Sequence, residues 1–340
     1  MVYSEDFDEF EDLPIKNAPK ERKIPWNKRK PNRAPKRSEE EILAGLVDDV
    51  DELADLPFTY QASRHERAWI VNALNRYYDQ RWILDVLRLV KGGKEASVYL
   101  CAGNPGITDQ HIAAKIYRPR RFRQLKNDQL YREGRERLDS EGHVILDGGK
   151  QHAMNKRTSY GLDLLHTSWI EHEYRTLRII YQAGCDVPIP FASGENTILM
   201  SYIGEEGLAA PTLNTIELQT SEARQLFERV NHNIELMLAH ERVHGDLSAF
   251  NVLYWKGEIT LIDFPQAISP KENRNAFRIF ERDVMRISEY FARQGVPVNA
   301  VKLAADLWTV YKYRIKPDFD LRLLDPEDAG DRAYWEGLQD

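Results

Sequence analysis

The sequence predicts an α+β chain of two lobes, a small β-rich lobe with one main helix and then a mostly helical lobe, with a cleft between them. Two observations carry this. Three β-like runs, 83–90, 97–102 and 112–117, are joined by turns holding Gly92, Gly93, Gly103, Pro105 and Gly106. Beyond residue 220 the apolar residues change to helical spacing, first through Leu226, Val230, Ile234 and Leu238.

Taken in order, residues 1–37 read as a disordered basic arm. Within it, 16–37 hold ten Lys or Arg against Glu21, about +9, and are broken by Pro19, Pro25, Pro31 and Pro35. A solvated tail and a phosphate-binding arm for RNA both stay open. Residues 38–80 form a helical extension. Ser38 and Glu41 make a capping box ahead of Ile42, Leu43, Leu46, Val47, Val50 and Leu53, and a second helical segment covers 64–80. The first lobe spans 81–203. Its Arg- and Gly-rich stretch 118–165 is expected as a long loop with one helical piece, followed by a helix over 168–183 and two short strands ending near Leu199 to Tyr202. The second lobe spans 204–315, with a helix over 221–241, short strands at 252–254 and 259–262, and helices over 276–293 and 298–314. Residues 316–340 are acidic and aperiodic, a tail.

The 340 residues, 42% of them hydrophobic, suffice for a core without disulfides, and Cys101 and Cys185 are too few for a disulfide scaffold. No apolar run approaches the roughly 18 residues that span a bilayer, and the opening residues lack a secretory pattern. A cytoplasmic protein with no membrane partner is expected. The net charge of −7 is a sum of unlike parts, so it does not exclude an RNA partner.

The strongest signal is His244-Gly245-Asp246-Leu247-Ser248-Ala249-Phe250-Asn251, followed by Leu261-Ile262-Asp263-Phe264. His-Gly-Asp-x4-Asn arises by chance in about one chain in a thousand of this composition. The side chains suit a nucleoside triphosphate and its divalent metal. Magnesium prefers hard oxygens such as the Asp263 carboxylate and the Asn251 amide oxygen. Asp246 is then placed to orient or deprotonate an attacking hydroxyl or water, and His244 to brace the loop. Upstream, Lys115 sits inside the apolar strand Ala113-Ala114-Lys115-Ile116-Tyr117 and needs an anionic partner, which the helix around Glu171 and Glu173 offers. The glycines of Lys91-Gly92-Gly93-Lys94-Glu95-Ala96-Ser97 would let backbone amides approach phosphate.

Together these motifs resemble the RIO family of atypical protein kinases over about residues 80–295. Gly93-Lys94-Glu95-Ala96-Ser97-Val98-Tyr99 resembles the family's phosphate loop, which makes Lys94, Glu95, Ala96, Ser97 and Val98 nucleotide contacts. Ala114-Lys115-Ile116-Tyr117 resembles its nucleotide-lysine strand, and Trp169 to Leu177 its helix with the partner glutamate, favouring Glu173. Met200-Ser201-Tyr202-Ile203-Gly204 stands at the hinge, so the backbone of Met200, Ser201 and Ile203 would hold adenine. The resemblance implies a protein-kinase-like fold, ATP and magnesium, catalysis by Asp246, Asp263 and Lys115, and metal held by Asn251 and Asp263. It also implies a serine/threonine kinase or an ATPase working through a phosphorylated Asp263, acting on a protein or on itself, in ribosome maturation. The phosphate loop and the Trp-containing helix are similar to the first RIO subfamily and Asp263-Phe264-Pro265-Gln266 to the second, with no room for the latter's winged-helix domain.

Two other classes remain. One is a small-molecule kinase of the aminoglycoside or choline type, which shares His-Gly-Asp-x4-Asn. The other is a nucleotide-gated binding module on a ribosomal precursor, supported by the basic arm and by Arg118, Arg120, Arg121, Arg123, Arg132, Arg135 and Arg137. Those arginines would otherwise lie in a solvated loop or contact ATP phosphates.

Overall fold

A computed structural model describes residues 58–93, 95–108, 111–118, 131 and 133–314. The basic arm, the helix expected after Ser38, Lys94, Arg120, Arg121, Arg123, Arg132 and the acidic tail lie outside the described residues.

The first lobe is a five-stranded antiparallel sheet with a helix on each face. Its strands are β1 (Ile83–Lys91), β2 (Ala96–Gly103), β3 (Ile112–Tyr117), β4 (Pro190–Gly194) and β5 (Thr197–Ser201), in the order β1-β2-β3-β5-β4. Side chains alternate across each strand, and β3 shows what this does. Ile112, Ala114 and Ile116 join a core with α1 (Arg64–Asp79), whereas Tyr117 packs on the other face with Ile170 and Ile198. Helix α1 starts where Ser63 accepts a hydrogen bond from the Glu66 N–H, and it buries Trp69, Ile70, Ala73, Leu74 and Tyr77 at helical spacing. Full burial of a side chain such as Ile70 or Leu74 contributes about 1.5–3 kcal/mol. The chain before α1 also belongs to the sheet. Phe58 bridges Val86 in parallel, and the Tyr60 N–H donates to the Val86 carbonyl.

The helical piece expected within the loop 118–165 is α2 (Gly148–Lys156), and the next helix, α3 (Ser159–Gln182), starts nine residues before the expected 168. Local chemistry explains both starts. Asp147 caps α2 by accepting from the Lys150 N–H, and Thr158 caps α3 by accepting from the Gly161 N–H. Gly161 reads as a helix breaker, yet here it is the crossing point. A Cβ at this position would lie 1.9 Å from the Ala153 carbonyl oxygen.

The second lobe is mostly helical. It is built from α4 (Thr220–Ala239), α5 (Ala276–Arg293) and α6 (Ala300–Val310), with the hairpin β8 (Val252–Trp255) and β9 (Glu258–Leu261), and a two-residue pair, β6 (Gly204–Glu205) and β7 (Leu208–Ala209), just past β5. One core joins the three helices and the β8–β9 hairpin. Trp308 is fully buried beneath Phe277, Phe280 and Tyr313. No helix among the described residues is long and apolar enough to cross a membrane.

Candidate active site

Alternation in β3 turns Lys115 away from α1 and toward α3. Its Nζ donates to Glu173 Oε1 at 2.7 Å and to Asp263 Oδ1 at 2.6 Å. Sheet, helix α3 and the loop after β9 therefore meet at one ammonium. Burial acts to strip its proton, but the carboxylates of Asp263 and Glu173 outweigh this and hold its pKa well above the ordinary lysine value. For Asp263 the balance is similar: burial pushes its carboxyl up, while the charge and hydrogen bond of Lys115 bring it below the usual range. Glu171 takes no part in this cluster; it accepts from the Ser193 hydroxyl.

The loop 244–251 is held from below. Gly245 has φ +83°, its N–H donates to Asp283 Oδ2 at 2.8 Å, and its carbonyl accepts from Arg282. Any Cβ there would lie 2.1 Å from the Gln266 carbonyl oxygen, so the loop and the turn after Asp263 fit only around glycine. His244 is buried, its ring 4.6 Å from that of Phe264. Its Nε2 stands 3.2 Å from the Ile262 carbonyl and its Nδ1 3.3 Å from the Asp246 N–H. The tautomer with the proton on Nε2 satisfies both contacts, and burial lowers the ring's pKa to about 4, so His244 is a neutral brace.

Asp246 Oδ1 accepts from Arg286 at 2.9 Å, and Oδ2 accepts from Asn251 Nδ2 at 3.1 Å. Burial raises its pKa, with Arg286 and Arg282 opposing. The Asn251 amide nitrogen also donates to the Asp246 carbonyl at 2.9 Å, which leaves the amide oxygen for another task. The Asn251 carbonyl in turn accepts from the Ile262 N–H at 2.9 Å, tying Asn251 to the residue before Asp263. Asp263 itself has φ +73°, a left-handed backbone that Asp tolerates better than most residues. The donor set of Asn251 and Asp263 fits a hard divalent cation. Among the described residues no group of three or more His, Cys, Asp or Glu could hold a metal, so a cation here would draw its remaining oxygens from phosphate and water, as magnesium does.

The remaining expected site residues are spread over the sheet. Val98 pairs with Lys115 across β2 and β3, and Ala96 pairs with Tyr117. Ser97 pairs with Ile116 on the α1 face and is buried, and the Glu95 carbonyl accepts from the Arg118 N–H at 2.8 Å. At the hinge, the Ser201 N–H donates to Ile189, the Tyr202 N–H to His111, and the Ile203 carbonyl accepts from Ala210. Met200, half-buried, touches the cores of both lobes.

Sequence reasoning missed four residues. Tyr117 donates its hydroxyl to Glu173 Oε2, fixing the carboxylate that meets Lys115. Asp283 and Arg286 support the loop of Asp246 from α5, and an acid at 283 inside the buried stripe Ile279, Phe280, Val284 and Ile287 was the available signal. Arg135 is expected among arginines that bind a ribosomal precursor, lie in a solvated loop or contact ATP phosphates. Instead it donates to the carbonyls of Pro265 and Ala267 at 2.8 and 2.9 Å, clamping the turn after Asp263.

A family model described as the RIO domain matches residues 97–304, most of both lobes. The chain belongs to the RIO family. Among relatives, this RIO chain is 30% identical to the serine/threonine-protein kinase rio1 of Schizosaccharomyces pombe, over 62% of this chain and 39% of that one. It is 25% identical to the RIO-type serine/threonine-protein kinase Rio1 of Methanocaldococcus jannaschii, over 72% and 78% respectively. The match thus spans about two fifths of the length of the fission-yeast relative. A crystal structure of the Rio2 kinase–ADP/Mg2+–phosphoaspartate complex from Chaetomium thermophilum aligns at 20% identity over 80% of this chain and 76% of that one, with a TM-score of 0.49.

Proposed function

We propose that this RIO chain is an ATP- and magnesium-dependent phosphotransferase, acting on serine or threonine of a protein or of itself, or hydrolysing ATP through a phosphorylated Asp263. One observation carries the reading: a single lysine ion-paired to Glu173 and Asp263, with Asp246 and Asn251 hydrogen-bonded together in the loop tied to Asp263. The kinase names of the relatives support it. Residues 16–37 supply charge for a ribosomal RNA or precursor partner, a reading that rests on sequence alone.

Each residue has a defined task. The Lys115 ammonium, with three donors and two spent on carboxylates, offers its third to a phosphate oxygen. The Asp246 carboxylate accepts the proton of the attacking hydroxyl as that oxygen bonds to the γ-phosphorus and the bond to the β-bridging oxygen breaks, leaving ADP. Its raised pKa makes it a stronger base than an exposed aspartate. Where Asp263 is the acceptor, its carboxylate oxygen forms the new bond, and water, deprotonated by Asp246, later hydrolyses the acyl phosphate. Magnesium, held by Asn251 and Asp263, would neutralise the charge of the transferred group.

Incubation with γ-labelled ATP and magnesium tests this. Label should appear on the protein itself, acid-stable if on serine or threonine and hydroxylamine-labile if on Asp263, and should vanish in Asp246→Ala. Rapid turnover seen only with an amino-sugar or choline would overturn the reading.

A further inference from the structure

Away from the lysine cluster, a cavity of about 330 Å³ lies between α2, α3 and the segment 135–137. That is the size of a small-molecule site. Met154, Leu165 and Trp169 supply its apolar lining, with Met154 buried. Arg135, Arg137 and Arg157 also line it, and the one acid among the described lining residues, Glu136, is paired with Arg175. With that acid engaged, Arg137 and Arg157 bring positive charge to the cavity. His172 lines the same cavity, where burial and then Arg135 lower its pKa to about 3. Arg137 is held by a bond from Nη2 to Asn155 Oδ1, which leaves further N–H groups of its fork to donate.

We propose that this cavity binds a small organic phosphate monoester, its phosphate on the guanidinium groups of Arg137 and Arg157 and its organic body on Met154, Leu165 and Trp169. A phosphate dianion offers three acceptor oxygens to planar, bidentate donors, and the apolar lining distinguishes an organic ester from the free ion. Two residues that line the cavity also support the active site. Arg135 clamps the turn after Asp263, His172 bonds the Ala267 carbonyl at 3.0 Å, and the residue after His172 is Glu173. An occupant therefore bears on the two carboxylates that hold Lys115.

The test is titration of the full chain with phenyl phosphate, followed by calorimetry, with the nucleotide site saturated by a non-hydrolysable ATP analogue and magnesium. Saturable binding is expected, at least tenfold weaker in Arg137→Ala/Arg157→Ala, at least tenfold weaker in Leu165→Trp, which fills the cavity without changing charge, and at least tenfold weaker for inorganic phosphate. Loss in either variant suffices should the other fail to fold. The proposal is overturned if both folded variants bind as the parent does, if the ATP analogue abolishes binding, or if inorganic phosphate binds equally well. The readout is binding alone, so failure of the phosphotransferase reading leaves it standing.

Discussion

Gly245→Ala is the sharpest perturbation of the link between fold and site. The added Cβ would sit 2.1 Å from the Gln266 carbonyl oxygen and 2.7 Å from its carbon, where ordinary contact begins at 3.4 Å, so backbone must yield by about 1.3 Å. The loop cannot simply swing aside, because the Gly245 N–H is bonded to Asp283 and its carbonyl to Arg282. At φ +83° an L-residue costs about 1–2 kcal/mol, and overpacking adds about 1–3 kcal/mol. A loss of about 3 kcal/mol is expected. With an m-value of about 2.5 kcal/mol/M, the urea midpoint should fall by about 1 M. Phosphoryl transfer should fall further than the folded fraction does, because Gln266 lies three residues beyond Asp263 and moves with it. Equilibrium urea unfolding by fluorescence, beside a labelled-ATP assay at a temperature where the variant is folded, reads both. A midpoint within 0.2 M of the parent (about 0.5 kcal/mol at that m-value) with unchanged transfer would refute the reasoning.

Lys115→Met leaves Glu173 buried without its cation, which should cost about 3–5 kcal/mol in the same unfolding experiment and abolish transfer. Tyr117→Phe keeps the edge contact with Trp169 at 5.1 Å but removes the donor to Glu173. About 1–2 kcal/mol should be lost, and KM for ATP should rise more than kcat falls. The pH profile follows from Asp246. A base must be deprotonated to act and its pKa is raised, so the rate should fall with decreasing pH at a value above the ordinary aspartate range. Asp246→Asn should reduce kcat by about 10²–10⁴ and remove that limb; a limb that persists assigns it to another group.

Legibility in the sequence tracked how local each signal is. The strands around Lys115 and the helices 276–293 and 64–79 announce themselves through regular spacing, and they form almost where expected. Helix α2 does not, because only Met154 on it is buried and a polar helix has no periodicity to read. The early start of α3 was hidden by Gly161, whose meaning depends on the neighbour it touches rather than on its own propensity. The site divides the same way. Asp246, Asn251 and Asp263 share one short stretch whose spacing is informative, whereas Tyr117, Asp283, Arg286 and Arg135 reach the site from separate elements and acquire roles only through packing. Arg135 lies 130 residues from the carbonyl it clamps, a distance no window of sequence can span.

The pairing of residues 58–60 with β1 bears on how the molecule behaves when crowded. A five-stranded sheet has two flanks, and an open flank invites another chain to add a strand. Here Phe58 and Tyr60 occupy the β1 flank, with Thr59 pinned by its N–H and hydroxyl to Asp85. At the opposite flank, β4 opens on Pro190 and its register slips between Pro190 and Ala192. Both flanks are thus poorer templates for self-association, and backbone features of the sheet that carries Lys115 contribute to keeping it from adding strands.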